Sequence, residues 1–198
     1  MNKKAELEKL NREIRKCKKC PLWKTRNNVV PGEGPVDAKI IICGQSPGAQ
    51  EDKTGRPFVG PAGKFLNHLL KLASINREKV FITSPLKCLP RPPINRKPKR
   101  EETGACLPYL EKQIEIINPK YFILLGEVAF SVFFPKDYNP LTTLPPKGQV
   151  PKLQNFRGKW IKKNNKEFFI TYHPAAGLRF PKIRKVLEKD FKNLAKSF

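Results

Sequence analysis

The sequence predicts an α/β protein, a three-layer α/β/α sandwich around a central four-stranded, mostly parallel sheet. Two observations indicate this class. Short apolar runs rich in β-branched and aromatic residues alternate with longer segments of helical periodicity. In addition, no tandem repeat or Gly/Ser-rich linker divides the 198 residues. We therefore expect a single domain over residues 1–198.

The predicted strands and helices alternate along the chain. The strands are Ile40–Cys43, 79–83, 120–125 and 168–172. Helices are predicted over 4–15, from 61 onwards, over 101–117, near 129–130 and over 183–195. A long loop is predicted over 44–60, between the first strand and the helix that begins at Pro61. Ligands of open α/β sheets bind beyond the carboxyl ends of the strands, so this loop is a predicted binding segment.

The charge of the chain predicts a polyanionic partner. Forty Lys and Arg against 17 Asp and Glu give a net charge of +23. Nucleic acid is the partner that such a charge favours; an anionic membrane surface and lysines that serve only solubility are the alternatives. The charged N-terminus and the lack of a long apolar run predict no membrane span and a cytoplasmic, nucleoid-associated location. Twenty Pro and a single Met are compatible with a thermophile.

Four of the five cysteines form a predicted metal site. Cys17 and Cys20 make a Cys-x-x-Cys turn after the first helix, and Cys88 and Cys106 complete a set of four if the loop after the second strand folds back. Four thiolates suit zinc or an iron–sulfur cluster, and spacing alone does not choose. Cys43 lies inside a strand and is predicted to be a core residue.

Polar residues follow the predicted strands at their carboxyl ends. They are Gln45 and Ser46, Ser84, Gly126 and His173. A lone histidine is often structural. His173 follows an apolar strand directly and precedes a proline, however, so we expect it to protrude from the sheet edge into a pocket.

Together these motifs resemble the family 4 uracil-DNA glycosylases, the iron–sulfur type of archaea and thermophilic bacteria. The resemblance covers nearly the whole chain and includes four cysteines in the order and approximate spacing of the cluster ligands. The motifs are GQSPG at 44–48, Glu51-Asp52, TGRPFVG at 54–60, Thr83-Ser84 with Lys87-Cys88, Asn95-Arg96, and HPAA at 173–176.

This resemblance implies a uracil-DNA glycosylase-like fold and a monofunctional enzyme that hydrolyses the N-glycosidic bond of uracil in DNA to initiate base excision repair. It implies single- and double-stranded DNA with deaminated bases as the substrate. It also implies a [4Fe-4S] cluster rather than zinc, which would dock the N-terminal helix and the Cys17/Cys20 turn. The implied ligands are Cys17, Cys20, Cys88 and Cys106. We expect a monomer.

The resemblance also implies roles for individual residues. Phe58 would stack on the flipped uracil, and His173 would donate a hydrogen bond to uracil O2. Leu178 or Arg179 would fill the vacated stack as a wedge. The other implied pocket residues are Gln45, which with His173 would be catalytic, and Ser46, Pro47, Ser84 and Asn95.

Two positions depart from the family pattern. The family usually has Glu where this chain has Gln45, and Asn where it has Ser84. A carboxamide orients water but does not accept its proton, and a hydroxyl does not make the bidentate contact of an amide. Three alternatives therefore stay open: broadened base choice, such as hypoxanthine; a non-catalytic iron–sulfur or zinc protein that binds nucleic acid; and a general base supplied by Glu51 or Asp52.

Overall fold

A computed structural model describes residues 2–93, 96–134 and 153–197 and contains a five-stranded sheet. The strand order is β2-β1-β3-β5-β4. All neighbouring pairs are parallel except β4 and β5, which are antiparallel. The strands are β1 (Ile40–Cys43), β2 (Phe81–Thr83), β3 (Tyr121–Leu125), β4 (Trp160–Lys163) and β5 (Lys166–Thr171).

All the helices predicted from periodicity are present. Where both ends of a helix were predicted, the observed ends lie within two residues of the predicted ones. Three short helices were not predicted: α2 lies inside the segment predicted as a loop, α6 follows residue 152, and α7 directly precedes the last helix. The helices are α1 (Lys3–Arg15), α2 (Ala49–Thr54), α3 (Pro61–Leu72), α4 (Arg100–Ile117), α5 (Glu127–Phe133), α6 (Leu153–Phe156), α7 (Pro174–Arg179) and α8 (Pro181–Leu194).

The sheet has an apolar core on each face, which confirms the predicted three-layer arrangement. Successive residues of one strand enter different cores: Ile41 packs on one face with residues of α4 and α5, and Ile42 packs on the other with residues of α3 and α8. Cys43 is fully buried in the first of these cores, as predicted. Strands buried on both faces explain the continuous apolar runs in the sequence.

The prediction of four strands was wrong by one. The additional strand, β4, pairs with β5 through a two-residue turn in which Asn164 and Asn165 have φ angles of 50° and 60°. Two residues at positive φ are typical of the hairpin turn that matches strand twist, and asparagine tolerates this conformation. Because β4 lies at the edge of the sheet and contains two apolar residues followed by two lysines, its sequence lacks the apolar run that marks the other strands.

Among the described residues, no helix is both long and apolar enough to cross a bilayer.

Candidate active site and cysteine cavity

The loops after four parallel strands lie at one edge of the sheet. Gly44 follows β1, Ser84 follows β2, Gly126 follows β3, and His173 comes two residues after β5. A Cβ atom added to Gly44 would lie 2.8 Å from the ring of Phe58 and 3.7 Å from Nε2 of His173. The rings of Phe58 and His173 are stacked, with centroids 5.7 Å apart. This edge of the sheet therefore brings together an aromatic face and an imidazole.

The backbone of Phe58 is held in an unusual conformation. Its φ angle is +51°, which costs a bulky L-residue on the order of 1–3 kcal/mol. Helix α3 packs so closely on this residue that a Cβ at Gly63 would lie 1.9 Å from the Phe58 carbonyl oxygen. The guanidinium group of Arg77 donates to the carbonyl of Pro57 at 2.8 Å. Strain of this kind clusters at functional sites, where it fixes a side chain in one position.

The carboxylate of Glu51 connects the two loops that form the site. Its Oε1 accepts the backbone N–H groups of Val59 and Gly60, both at 2.9 Å, and its Oε2 accepts that of Gly48 at 3.1 Å. Glu51 is 9% exposed. Three amide donors satisfy this buried carboxylate, so Glu51 holds the turn around Phe58 and is not available as an unengaged base.

The neighbouring Asp52 also has a full set of partners. It is 1% exposed, and its oxygens accept from the backbone and side chain of Asn27 at 2.7–3.2 Å. The backbone of Asn28 donates at 3.4 Å, and Arg91 forms an ion pair with it at 3.4 Å. These contacts favour a role for Asp52 in anchoring the N-terminal segment over the role of general base.

The protonation state of His173 is defined by its contacts. Its Nδ1 accepts the backbone N–H of Ala175 at 3.2 Å and caps α7, so the proton of the neutral ring is on Nε2, the nitrogen that faces Gly44. Burial lowers the pKa of His173 to about 4, and the charge of Glu51 opposes this shift. At neutral pH the site therefore contains an uncharged imidazole that donates one hydrogen bond from Nε2.

The hydroxyl group of Ser84 donates a hydrogen bond to the protein backbone. The group donates to the carbonyl of Leu86 at 2.6 Å, and Ser84 is 8% exposed. The hydroxyl oxygen keeps acceptor capacity, but its single donor is engaged. Gln45 and Ser46 are half-buried and Pro47 is buried, directly after β1.

The four cysteines of the predicted metal site line one cavity. Within residues 2–93, 96–134 and 153–197, no three Cys, His, Asp or Glu side chains converge closely enough to share a single metal ion. The cavity is lined by Cys17, Cys20, Cys88 and Cys106 with apolar and basic neighbours that include Ile14, Trp23, Arg26 and Tyr109.

Hydrogen-bond donors are directed at three of the sulfur atoms. The backbone N–H of Lys87 donates to Sγ of Cys106 at 3.3 Å, that of Lys19 to Cys17 at 3.5 Å, and the guanidinium group of Arg26 to Cys88 at 3.4 Å. Burial raises the pKa of the Cys106 thiol to about 11. Four cysteines with N–H···S contacts fit an iron–sulfur cluster, whose charge would offset this burial of thiolates.

The predicted wedge residues lie at the end of α7, the helix that His173 caps. Leu178 is 48% exposed, and Arg179 is exposed beside it. Phe180, which the sequence analysis did not single out, is 49% exposed directly after them. The predicted pocket residue Asn95 lies outside the described residues.

Residues 31–195 match the family model described as the Uracil DNA glycosylase superfamily. The type-4 uracil-DNA glycosylase of Sulfurisphaera tokodaii is 45% identical over 192 residues, which cover 95% of this chain and 83% of the relative. The chain belongs to the type-4 uracil-DNA glycosylases. Others in this group are the enzymes of Saccharolobus solfataricus, 46% identical over 92% of this chain and 82% of the relative, and Pyrobaculum aerophilum, 44% identical over 93% and 91%.

Membership in the type-4 glycosylases confirms the family predicted from the motifs. The sequence predicted neither the structural role of Glu51, which was considered only as a motif residue and a possible general base, nor the burial of Lys87. The spacing Gly48-x-x-Glu51 is a signal for the first, because a glutamate three residues after a helix cap reaches back to the cap N–H. No comparable local signal marks Lys87, whose burial depends on the packing of α4 against the end of β2.

We expect Gly44→Ala to lower base release while the fold persists. The added methyl group would lie 2.8 Å from the Phe58 ring and must displace it. Gly104→Ala is the matched control, since nothing lies within 4 Å of a Cβ there and alanine favours a helix by about 1 kcal/mol. Thermal unfolding and single-turnover base release check both variants. A Gly44→Ala protein with full activity would contradict the positioning of Phe58 by Gly44.

Proposed function

We propose that this protein hydrolyses the bond between uracil and deoxyribose in DNA and so initiates base excision repair. The stacked pair of Phe58 and a neutral His173 supports this function most directly. An enzyme that acts on a base extrudes it into a pocket, where an aromatic face stacks on the ring and donors read its edge. Membership in the type-4 uracil-DNA glycosylases supports the choice of uracil.

In the proposed reaction, the C1′–N1 bond breaks and its electron pair remains on uracil. Nε2–H of His173 donates to uracil O2, where negative charge develops, and Phe58 holds the ring in place. Gln45 orients a water molecule that adds to C1′, with Ser46 and Pro47 completing the pocket. The proton of that water passes to solvent, because a carboxamide does not accept it.

The charge and the exposed end of α7 support DNA as the substrate. With a net charge of +23, phosphate contacts would supply most of the affinity, and one flipped base would carry the selectivity. Leu178 or Arg179 would fill the space that the base leaves. We propose that the protein acts on single- and double-stranded DNA as a monomer.

We further propose that Cys17, Cys20, Cys88 and Cys106 hold a [4Fe-4S] cluster. The shared cavity and the N–H···S contacts support a metal centre held by four thiolates, and membership in the type-4 glycosylases favours a cluster over zinc. When bound, the cluster would supply a structural cross-link with negative charge on its thiolates. It would tie α1 and the Cys17/Cys20 turn to α4 and to the loop after β2.

Release of free uracil from a uracil-containing oligonucleotide tests the function. The single-turnover rates of variants then compare the contributions of His173 and Gln45. His173→Ala should lower the single-turnover rate by about 10²–10³, the scale of losing one donor to a developing oxyanion. Gln45→Ala should lower it less, and Gln45→Glu should leave it similar or higher, because position 45 only orients water. If the wild-type chain binds this DNA but releases no base, the non-catalytic alternative holds.

Asp52→Asn serves as the control for a general base elsewhere in the site. Because Asp52 accepts from Asn27 and pairs with Arg91, we expect this variant to lower the melting temperature and to change the rate little where it stays folded. A rate loss larger than that of His173→Ala, in a folded protein, would assign the base to Asp52.

The dependence of the rate on pH tests the neutral state of His173. With a pKa of about 4, the imidazole is uncharged throughout the range in which free histidine titrates, so the rate should be flat from about pH 5.5 to 8. Protonation would also remove the acceptor for Ala175, so the contribution of His173 to stability declines as the pH falls from about 6.5 towards 4. A change of rate with an apparent pKa near 6.5, absent in His173→Ala, would contradict this assignment.

The cluster is tested by replacing one proposed ligand and one core cysteine. Cys88→Ala should lose iron and visible absorption, because it removes a thiolate from the cavity, whereas Cys43→Ala should keep both and lose only packing. Anaerobically purified protein should be brown with iron in each chain. A colourless protein with one zinc per chain would refute the cluster.

A second candidate function is excision of other deaminated bases, such as hypoxanthine. It is favoured by Ser84, whose hydroxyl donates to the carbonyl of Leu86 and therefore has no proton left to donate to the base edge. Ser84→Asn should sharpen the preference for uracil over hypoxanthine, by about 1–3 kcal/mol if the amide makes a bidentate contact. Ser84→Ala is the control for loss of the turn. Unchanged selectivity in Ser84→Asn would show that other groups read the base.

A further inference from the structure

Lys87 is a buried lysine whose ammonium group is fully hydrogen-bonded. The residue is 1% exposed. Its Nζ donates to the hydroxyl of Thr83 at 2.6 Å, the carbonyl of Ser84 at 2.8 Å and Oε1 of Gln113 at 2.7 Å. The Thr83 hydroxyl has its own acceptors in Pro31 at 3.2 Å and Gln113 at 3.0 Å, so it is free to accept from Lys87. Three acceptors match the three N–H bonds of an ammonium ion.

The acceptors around Lys87 are all neutral. None of the ion pairs among the described residues includes this lysine. Burial of a cation without an opposite charge costs several kcal/mol even when its hydrogen bonds are satisfied. Lys87 lines the cavity of the four cysteines. Thiolates that hold a cluster there would supply the missing negative charge.

The main chain of Lys87 is anchored at that cavity as well. Its N–H donates to Sγ of Cys106 at 3.3 Å, and its carbonyl accepts the N–H of Val30 at 2.8 Å. The next residue is Cys88. One residue thus contacts the cysteine cavity through its backbone and the carboxyl end of β2 through its side chain.

We propose that Lys87 is a positioning residue. Its ammonium group fixes the Ser84 end of β2 against Gln113, and this contact holds one wall of the base pocket in place. Lys87 thereby connects the base pocket to the cysteine cavity. The inference rests on the proposed function. Gln113 extends the network, since its Nε2 donates to the carbonyl of Pro31 at 2.8 Å. Loss of the ammonium group would release the Ser84 carbonyl and leave the basic outer surface unchanged.

Lys87→Met tests this role, because methionine fills similar space without charge or donors. Lys79→Met is the matched control: Lys79 is exposed and lies just before β2, at its opposite end. Four quantities are measured for each protein: iron per chain, melting temperature, the maximal single-turnover rate of uracil release, and the protein concentration that gives half of that rate.

For Lys87→Met we expect a maximal rate lower by roughly 10- to 100-fold, the scale of a misplaced reacting group. Iron content and the half-saturating concentration should stay within about twofold of wild type, because phosphate contacts dominate binding. Lys79→Met should match wild type in rate. A wild-type maximal rate in Lys87→Met would overturn the proposal.

Gln113→Met covers the case in which Lys87→Met does not fold or loses iron. It removes one acceptor of Lys87 and keeps all four cysteines. A lower maximal rate with full iron supports the proposal, and an unchanged rate with full iron overturns it. Wild-type protein is assayed in parallel: if it releases no uracil, the proposed function fails, whereas equal rates for wild type and the variants reject only the role of Lys87.

Discussion

The carboxylate of Glu51 is the contact on which the shape of the site depends. It accepts the N–H groups of Gly48, at the start of α2, and of Val59 and Gly60, at the start of α3. These bonds join the two ends of the segment after β1 and hold Phe58 at a positive φ angle between them. Without this carboxylate, three amide groups would lose their hydrogen-bond acceptor. The strained conformation of Phe58 would then lose the contacts that stabilise it.

The environment that shapes the pocket also sets its chemistry. The surroundings that partly bury His173 make the charged imidazole costly, so the ring is neutral and its Nδ1 is free to cap α7. The cap in turn leaves Nε2–H as the donor that faces Gly44. Position, tautomer and charge of one side chain thus follow from a single arrangement of β5 and α7, and the same short helix carries Leu178 at its other end.

Much of the fold could be predicted from the sequence, because strands buried on both faces appear as apolar runs. The edge strand β4 was missed because it has only two apolar residues and pairs only with β5 in the described sheet. A two-asparagine turn is a local signal that the run-based prediction overlooked.

The site was predictable only in part. The strand ends placed Gln45 and His173 in the predicted pocket, the cysteine pattern indicated the four thiols, and the family motifs added Phe58. The burial of Lys87 was not predictable, because lysine is rarely buried and its three acceptors come from β2, the residue that follows it and α4. The engagement of the Ser84 hydroxyl likewise depends on a turn that the sequence pattern does not reveal.

The carboxamide at position 45 is consistent with this architecture. Both nearby carboxylates have structural partners, Glu51 with three amides and Asp52 with Asn27 and Arg91. Cleavage of a glycosidic bond passes through a cation-like sugar, which is reactive enough towards water that proton loss can follow formation of the new bond. Stabilisation of the departing base then matters more than deprotonation of water. A site with a neutral donor at His173, and with both Glu51 and Asp52 engaged in structural contacts, is suited to that order of events, because position 45 then needs only to orient the water.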